Sequence, residues 1–108
     1  MKTKKTPVKI EKTIRHIVKN YQPEKVYLFG SYAWGKPNMS SDVDLMIIKK
    51  TNLPMGQRMT QADTLVSDLP YPFDILVYTP AEFKKRQNMG DFFINMILKK
   101  GALIYEKN

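Results

Sequence analysis

The sequence predicts an α/β fold in which helices pack on a small β-sheet, and three observations lead to it. Short apolar runs bounded by turn residues alternate with longer segments whose apolar positions recur at helical spacing. The connections are short, and no internal repeat, linker or low-complexity segment interrupts the alternation. At 108 residues, 43% hydrophobic and 26% charged, the chain has the composition of an ordinary globular protein and is expected to form one domain over 1–108.

From Val8 to Tyr21, Ile10, Ile14, Ile17, Val18 and Tyr21 recur at helical spacing, with Thr6 placed as the N-cap and Pro7 at the first helical position. Lys25 to Phe29 is a short apolar run that ends at Gly30 and reads as a buried strand. A brief helical turn from Ser31 and a Pro-Asn-Met-Ser-Ser loop lead to a second strand, which starts near Asp42 and runs to Ile48. After the break at Asn52-Leu53-Pro54, Met55, Met59, Ala62, Val66 and Leu69 keep to one face of a helix that ends by Pro70. Phe73 to Tyr78 is a third strand. Thr79-Pro80-Ala81-Glu82 has the form of a capping box, and Asp91 is placed to cap a further helix that runs to Lys100 and stops at Gly101. Ala102 to Tyr105 closes the chain as a short strand.

Candidate chemistry concentrates between Gly30 and Asp44, where a Gly30-Ser31 pair is followed after ten residues by Asp42 and Asp44. Gly-Ser at the end of an apolar strand offers backbone N–H groups and a hydroxyl to an anion, and glycine allows close approach of the backbone. Strand periodicity puts Asp42 and Asp44 on one face with Met46 and Ile48, leaving Val43, Leu45 and Ile47 on the other. In the third strand Asp74 lies opposite to Phe73, Ile75 and Val77, so three carboxylates converge if the two strands are neighbours in register. Such a cluster is tolerated when cations bind it or some groups stay protonated, and hard oxygen ligands suit magnesium. An anion site beside a cation site suits a metal-bound nucleoside triphosphate.

Each piece alone has a plainer explanation. Gly-Ser after a strand is commonly a turn, and Asp-x-Asp at a strand start is commonly a solvated edge. Asp74 is harder to dismiss, because it interrupts an apolar run where an unpaired buried carboxylate is costly. The case rests on the three features occurring together in this order.

Composition narrows the alternatives. No cysteine is present and His16 is the one histidine, which removes disulfides and leaves zinc chemistry little to work with. No apolar run approaches the roughly 18 residues of a membrane span, and the Lys-rich start lacks the apolar stretch of a signal peptide, so a cytoplasmic protein with no membrane partner is expected. No Gly-x-x-x-x-Gly-Lys-Ser/Thr loop occurs, against a P-loop NTPase. The net charge of +8 attracts polyphosphates, nucleic acid or an acidic protein without saying which. Lys99-Lys100 before Gly101 reads as a solvated helix end that complements the helix dipole.

Gly30-Ser31, ten residues, Asp42-Val43-Asp44 and a later strand aspartate at Asp74 together resemble the DNA polymerase beta superfamily of nucleotidyltransferases. The short length and the Ser-Asp-x-Asp-Leu run from Ser41 to Leu45 are most similar to its minimal nucleotidyltransferase (MNT) branch, and the likeness extends to the Gly-Ala-Leu-Ile-Tyr-Glu ending. The resemblance implies a polymerase-beta-like fold with a small mixed β-sheet. It implies that Gly30 and Ser31 hold the triphosphate of ATP or another NTP donor, and that Asp42 and Asp44 bind two Mg2+ ions. Asp74 would bind one of these ions and help activate the attacking hydroxyl. Many relatives carry a basic residue where this chain has Trp34, so either a phosphate contact is missing or the indole packs instead. By the same resemblance the chain would be the antitoxin of a two-gene module, transferring AMP to a tyrosine of a HEPN-type toxin partner.

Two other classes stay open on the sequence. In one, the chain is a non-catalytic antitoxin that neutralises its partner by contact. In the other, it is a nucleotidyltransferase whose acceptor is a small molecule or a nucleic acid; the sequence shows no aromatic stacking platform of the RNA-binding type. A homodimer or hetero-oligomer is compatible with so small a sheet.

Overall fold

A computed structural model describes residues 7–35 and 42–108. Helix α1 (Val8–Tyr21) is followed by strand β1 (Lys25–Phe29), the short helix α2 (Ser31–Trp34) and strand β2 (Val43–Ile48). Helix α3 (Met55–Val66) leads to strand β3 (Phe73–Tyr78), and helices α4 (Pro80–Asn88) and α5 (Phe92–Lys100) precede strand β4 (Ala102–Glu106).

The four strands form one mixed sheet in the order β3-β2-β1-β4. β1 is antiparallel to both β2 and β4, whereas β2 and β3 run parallel, joined by the α3 crossover. The α/β class and the small mixed sheet are as the sequence indicates.

Both faces of the sheet are covered, which explains why β2 is apolar almost throughout. One face carries Val26, Leu28, Val43, Leu45, Ile47, Ile75 and Val77, packed against Ile10, Ile14 and Ile17 of α1 and Ala62 and Val66 of α3. The other carries Tyr27, Phe29, Met46, Ile48 and Tyr78 against Ile94 and Ile97 of α5. Phe83 of α4 stacks on Tyr27 with ring centroids 5.9 Å apart. Each fully buried Ile or Leu adds about 1.5–3 kcal/mol of hydrophobic stabilisation relative to exposure.

Most local signals act as expected. Thr79 accepts from the Glu82 N–H and Glu82 returns the bond to the Thr79 N–H, completing the capping box. Asp91 caps α5 by accepting from the Ile94 N–H at 3.0 Å. Pro7 is the N-cap of α1 rather than its first helical residue; the expected Thr6 cap and the Pro-Asn-Met-Ser-Ser loop lie outside the described residues.

Helix α3 differs from its expected face. Ala62 and Val66 are buried on the α1 side, but Met55 packs into the cluster on the opposite face of the sheet. The apolar face includes Arg58, which is buried at the i, i+4, i+8 spacing with Ala62 and Val66. Its guanidinium donates to the Leu53 and Val77 carbonyls at 2.7 and 3.2 Å and to both Glu82 oxygens at 2.7 and 2.9 Å. Arg58 thereby ties α3 to the end of β3 and the start of α4. No helix among the described residues is long and apolar enough to cross a membrane.

Candidate active site

β1 ends at Phe29, and the chain turns at Gly30 with φ +77° and ψ −159°, a conformation open essentially to glycine alone. The Gly30 carbonyl accepts from the Ala33 and Trp34 N–H groups at 2.9 and 3.0 Å, which winds α2 tightly against the strand end. A second reason for glycine lies across the sheet. A Cβ on Gly30 would fall onto Oδ2 of Asp44, so the missing side chain is the space that this carboxylate occupies.

Strand register settles which carboxylates meet. Phe29 pairs with Asp44 across the antiparallel ladder, and Asp44 pairs with Asp74 across the parallel one. Residues paired this way share a face, so Phe29, Asp44 and Asp74 form one row across the sheet on its α5 side, about 4.8 Å from strand to strand. Asp42 stands just before β2, exposed, two residues from Asp44. Ser31 opens α2 next to Gly30. The five residues singled out from the sequence therefore gather at one end of the sheet.

The carboxylates differ in environment. Asp44 is half-buried, and its pKa is pushed up to about 6, first by burial and then by the negative charges of Asp74 and Asp42. Asp74 is exposed, because β3 is an edge strand. This corrects the burial argument made for it from the sequence: solvent, rather than a partner, makes Asp74 tolerable in an apolar run.

Beside Asp44 stands an aromatic wall that the sequence reading missed. Phe93 of α5 meets Phe29 edge-on at 5.5 Å, and the Trp34 ring lies 6.3 Å from Phe29 in a tilted arrangement. The Trp34 indole lies near Phe29 yet is 41% exposed. Of the three rings, Phe29 adjoins Asp44 directly, through the strand register. The position of Phe29 immediately before Gly30 was the available signal.

The donor set fits a hard divalent cation. It consists of carboxylate oxygens alone, and their mutual repulsion at Asp44 is what a bound cation relieves. Among the described residues, no three Asp, Glu or His side chains already converge as a finished cage.

The family described as polymerase beta, nucleotidyltransferase, matches residues 11–108, and the chain belongs to that family. Among solved structures, a toxin–antitoxin complex with AMP-PNP superposes with a TM-score of 0.63 at 21% identity, covering 91% of this chain and 74% of the other. The MntA–HepT toxin–antitoxin structure gives 0.56 at 18% identity over 90% and 69% of the two chains. A structure of the tri-AMPylated Shewanella oneidensis HEPN toxin with its MNT antitoxin gives 0.51 at 20% identity over 92% and 68%. At these identities the likeness is one of fold. No curated protein gives a significant sequence match to the chain.

Proposed function

We propose that this chain is a Mg2+-dependent nucleotidyltransferase that transfers AMP from ATP to a hydroxyl, and that the hydroxyl is a tyrosine of a HEPN-type partner toward which the chain acts as antitoxin. The observation that carries the reading is the Asp44–Asp74 register pair with Gly30 packed on the Asp44 carboxylate, in a member of the polymerase beta nucleotidyltransferase family. The partner and the nucleotide are supported by the toxin–antitoxin structures with AMP-PNP and with an AMPylated toxin.

Asp42, Asp44 and Asp74 would hold the metal, two Mg2+ ions in all. When bound, they supply charge neutralisation to both the attacking and the leaving oxygen. Gly30 and Ser31 bind the triphosphate through backbone N–H groups and the Ser31 hydroxyl. Asp44 is flanked by Phe29, and its carboxylate fills the space that a side chain at Gly30 would take. Asp74, on the solvent side of the row, takes the proton of the acceptor hydroxyl. The acceptor oxygen forms its bond to the α-phosphorus as the bond to pyrophosphate breaks.

The test is incubation with ATP, Mg2+ and a candidate HEPN-type partner, followed by intact-mass measurement of that protein. A mass gain of one AMP per modified tyrosine is expected. Protection of cells by a tight complex without that mass gain, unchanged in an Asp42→Asn, Asp44→Asn variant, would establish neutralisation by contact instead.

A further inference from the structure

Helix α5 turns two unlike faces in opposite directions. Ile94 and Ile97 are fully buried, with Phe93 and Leu98 packed beside them. Phe92, Asn95, Met96 and Lys99 form the outer stripe and, with Lys100, line an open groove of about 320 Å³. Phe92 is 80% exposed, and Met89 in the preceding turn is 72% exposed.

Among the described residues, no carboxylate pairs with the lysines of this groove. Its lining contains two lysines and no carboxylate. The nearby acids are engaged elsewhere, Asp91 in capping α5 and pairing with Arg86, and Glu82 in binding Arg58. Both ends of α5 also meet the last two residues of β1. Phe93 packs edge-on against Phe29, and at the other end Gly101 lies so close to the Leu28 carbonyl that a Cβ there would sit 2.8 Å from it. The Phe92 end of the groove is therefore one residue from Phe93, which meets Phe29 at the end of the row that contains Asp44.

We propose that the outer stripe of α5 is the docking surface for the acceptor protein, and that it takes an acidic segment carrying an apolar or aromatic anchor. The proposal rests on the transferase reading above for the role of that partner. Phe92 and Met96 offer a compact, adaptable apolar seat, and Lys99 and Lys100 supply charge complementary to carboxylates. A nucleic acid needs a longer basic track with several stacking rings, and this groove holds a single aromatic ring. A partner seated at the Phe92 end of the groove has a short path past Phe93 and Phe29 to the row that contains Asp44.

The test is an NMR titration of the ¹⁵N-labelled chain at about 50 mM salt, where charge screening is weak. The probes are a random Glu–Tyr copolymer, polyglutamate and oligouridine RNA. The copolymer is expected to shift the amides of Phe92 to Lys100 and to bind more tightly than polyglutamate. Phe92→Ala is expected to weaken copolymer binding about tenfold, in the range of interface hot spots, and Lys99→Gln about threefold. Lys50→Gln, at the opposite end of the sheet, controls for general charge and is expected to have little effect. Three results would overturn the proposal: no amide shifts along α5, equal weakening by Lys50→Gln and Lys99→Gln with none by Phe92→Ala, or tighter binding of oligouridine to these amides. The Asp42→Asn, Asp44→Asn variant separates docking from chemistry and is expected to bind the copolymer as the parent does. Failure of AMP transfer to a HEPN-type partner with docking intact refutes the transferase reading alone, and transfer to that partner that is indifferent to Phe92→Ala refutes the docking surface alone.

Discussion

Replacing Asp44 by Asn is expected to stabilise the metal-free protein at alkaline pH. The folded Asp44 has a pKa of about 6 against an ordinary value of 3.8, because burial and the charges of Asp74 and Asp42 oppose its ionisation. The folded state thus holds this proton more tightly than the unfolded chain, so stability falls as pH rises from about 4 to about 6 and stays lowered above. Two pKa units correspond to about 3 kcal/mol without screening. Solvent access to a half-buried carboxylate reduces this to about 1 kcal/mol. For a domain of this size that is a rise in Tm of about 4–8 °C for Asp44→Asn at pH 8. At pH 4 the parent and variant should melt together. The assay is a set of thermal melts of both proteins from pH 4 to pH 8 in EDTA, repeated with Mg2+. Added Mg2+ should raise the Tm of the parent and leave the variant unchanged. A gap between the two proteins that is the same at pH 4 and pH 8 would refute the reasoning, since the stabilisation would then owe nothing to charge.

Gly30→Ala should destabilise the fold by about 2 kcal/mol from its backbone conformation alone. It should also push the Asp44 carboxylate aside, which titration with Mn2+ would register as lost affinity. Arg58→Met should cost about 3 kcal/mol by urea denaturation; a half-truncated buried pair costs about 3–5 kcal/mol, and the partly exposed Glu82 can rehydrate. Arg58 also holds the Glu82 pKa below its ordinary value, so this contribution is present above about pH 4.5 and disappears as pH falls further, a dependence that Glu82→Gln should remove. Thr79→Ala breaks the capping box and should lower stability by about 1 kcal/mol in the same assay.

The elements were legible because each carries its own period or cap: Ile10, Ile14 and Ile17 along α1, the alternation of Asp44, Met46 and Ile48 in β2, and Thr79 with Glu82 at the start of α4. The carboxylate row was legible for the same reason, since a period of two fixes which side chains share a face, and it needed only the neighbouring of β2 and β3 to close. What could not be read depends on contacts between distant segments. Strand order makes β3 an edge and exposes Asp74, and no local pattern encodes that order. Arg58 reads as a surface residue until Glu82, 24 residues away in another helix, is placed beside it. Met55 fits the periodicity of α3, yet it lies in the first turn, where the chain crosses to the other side of the sheet. The aromatic wall of Phe29, Trp34 and Phe93 draws on three elements and so appears only in the fold.

The central claim is that the Asp44–Asp74 row drives transfer at the α-phosphorus. It is tested most directly by supplying the chain and its acceptor with ATP labelled at the α- or the γ-phosphate, and following label on protein together with pyrophosphate release. The account predicts Mg2+-dependent incorporation of the α-label alone, matched by pyrophosphate and abolished by Asp42→Asn with Asp44→Asn. Incorporation of the γ-label, or α-labelling that survives loss of both aspartates, would contradict it.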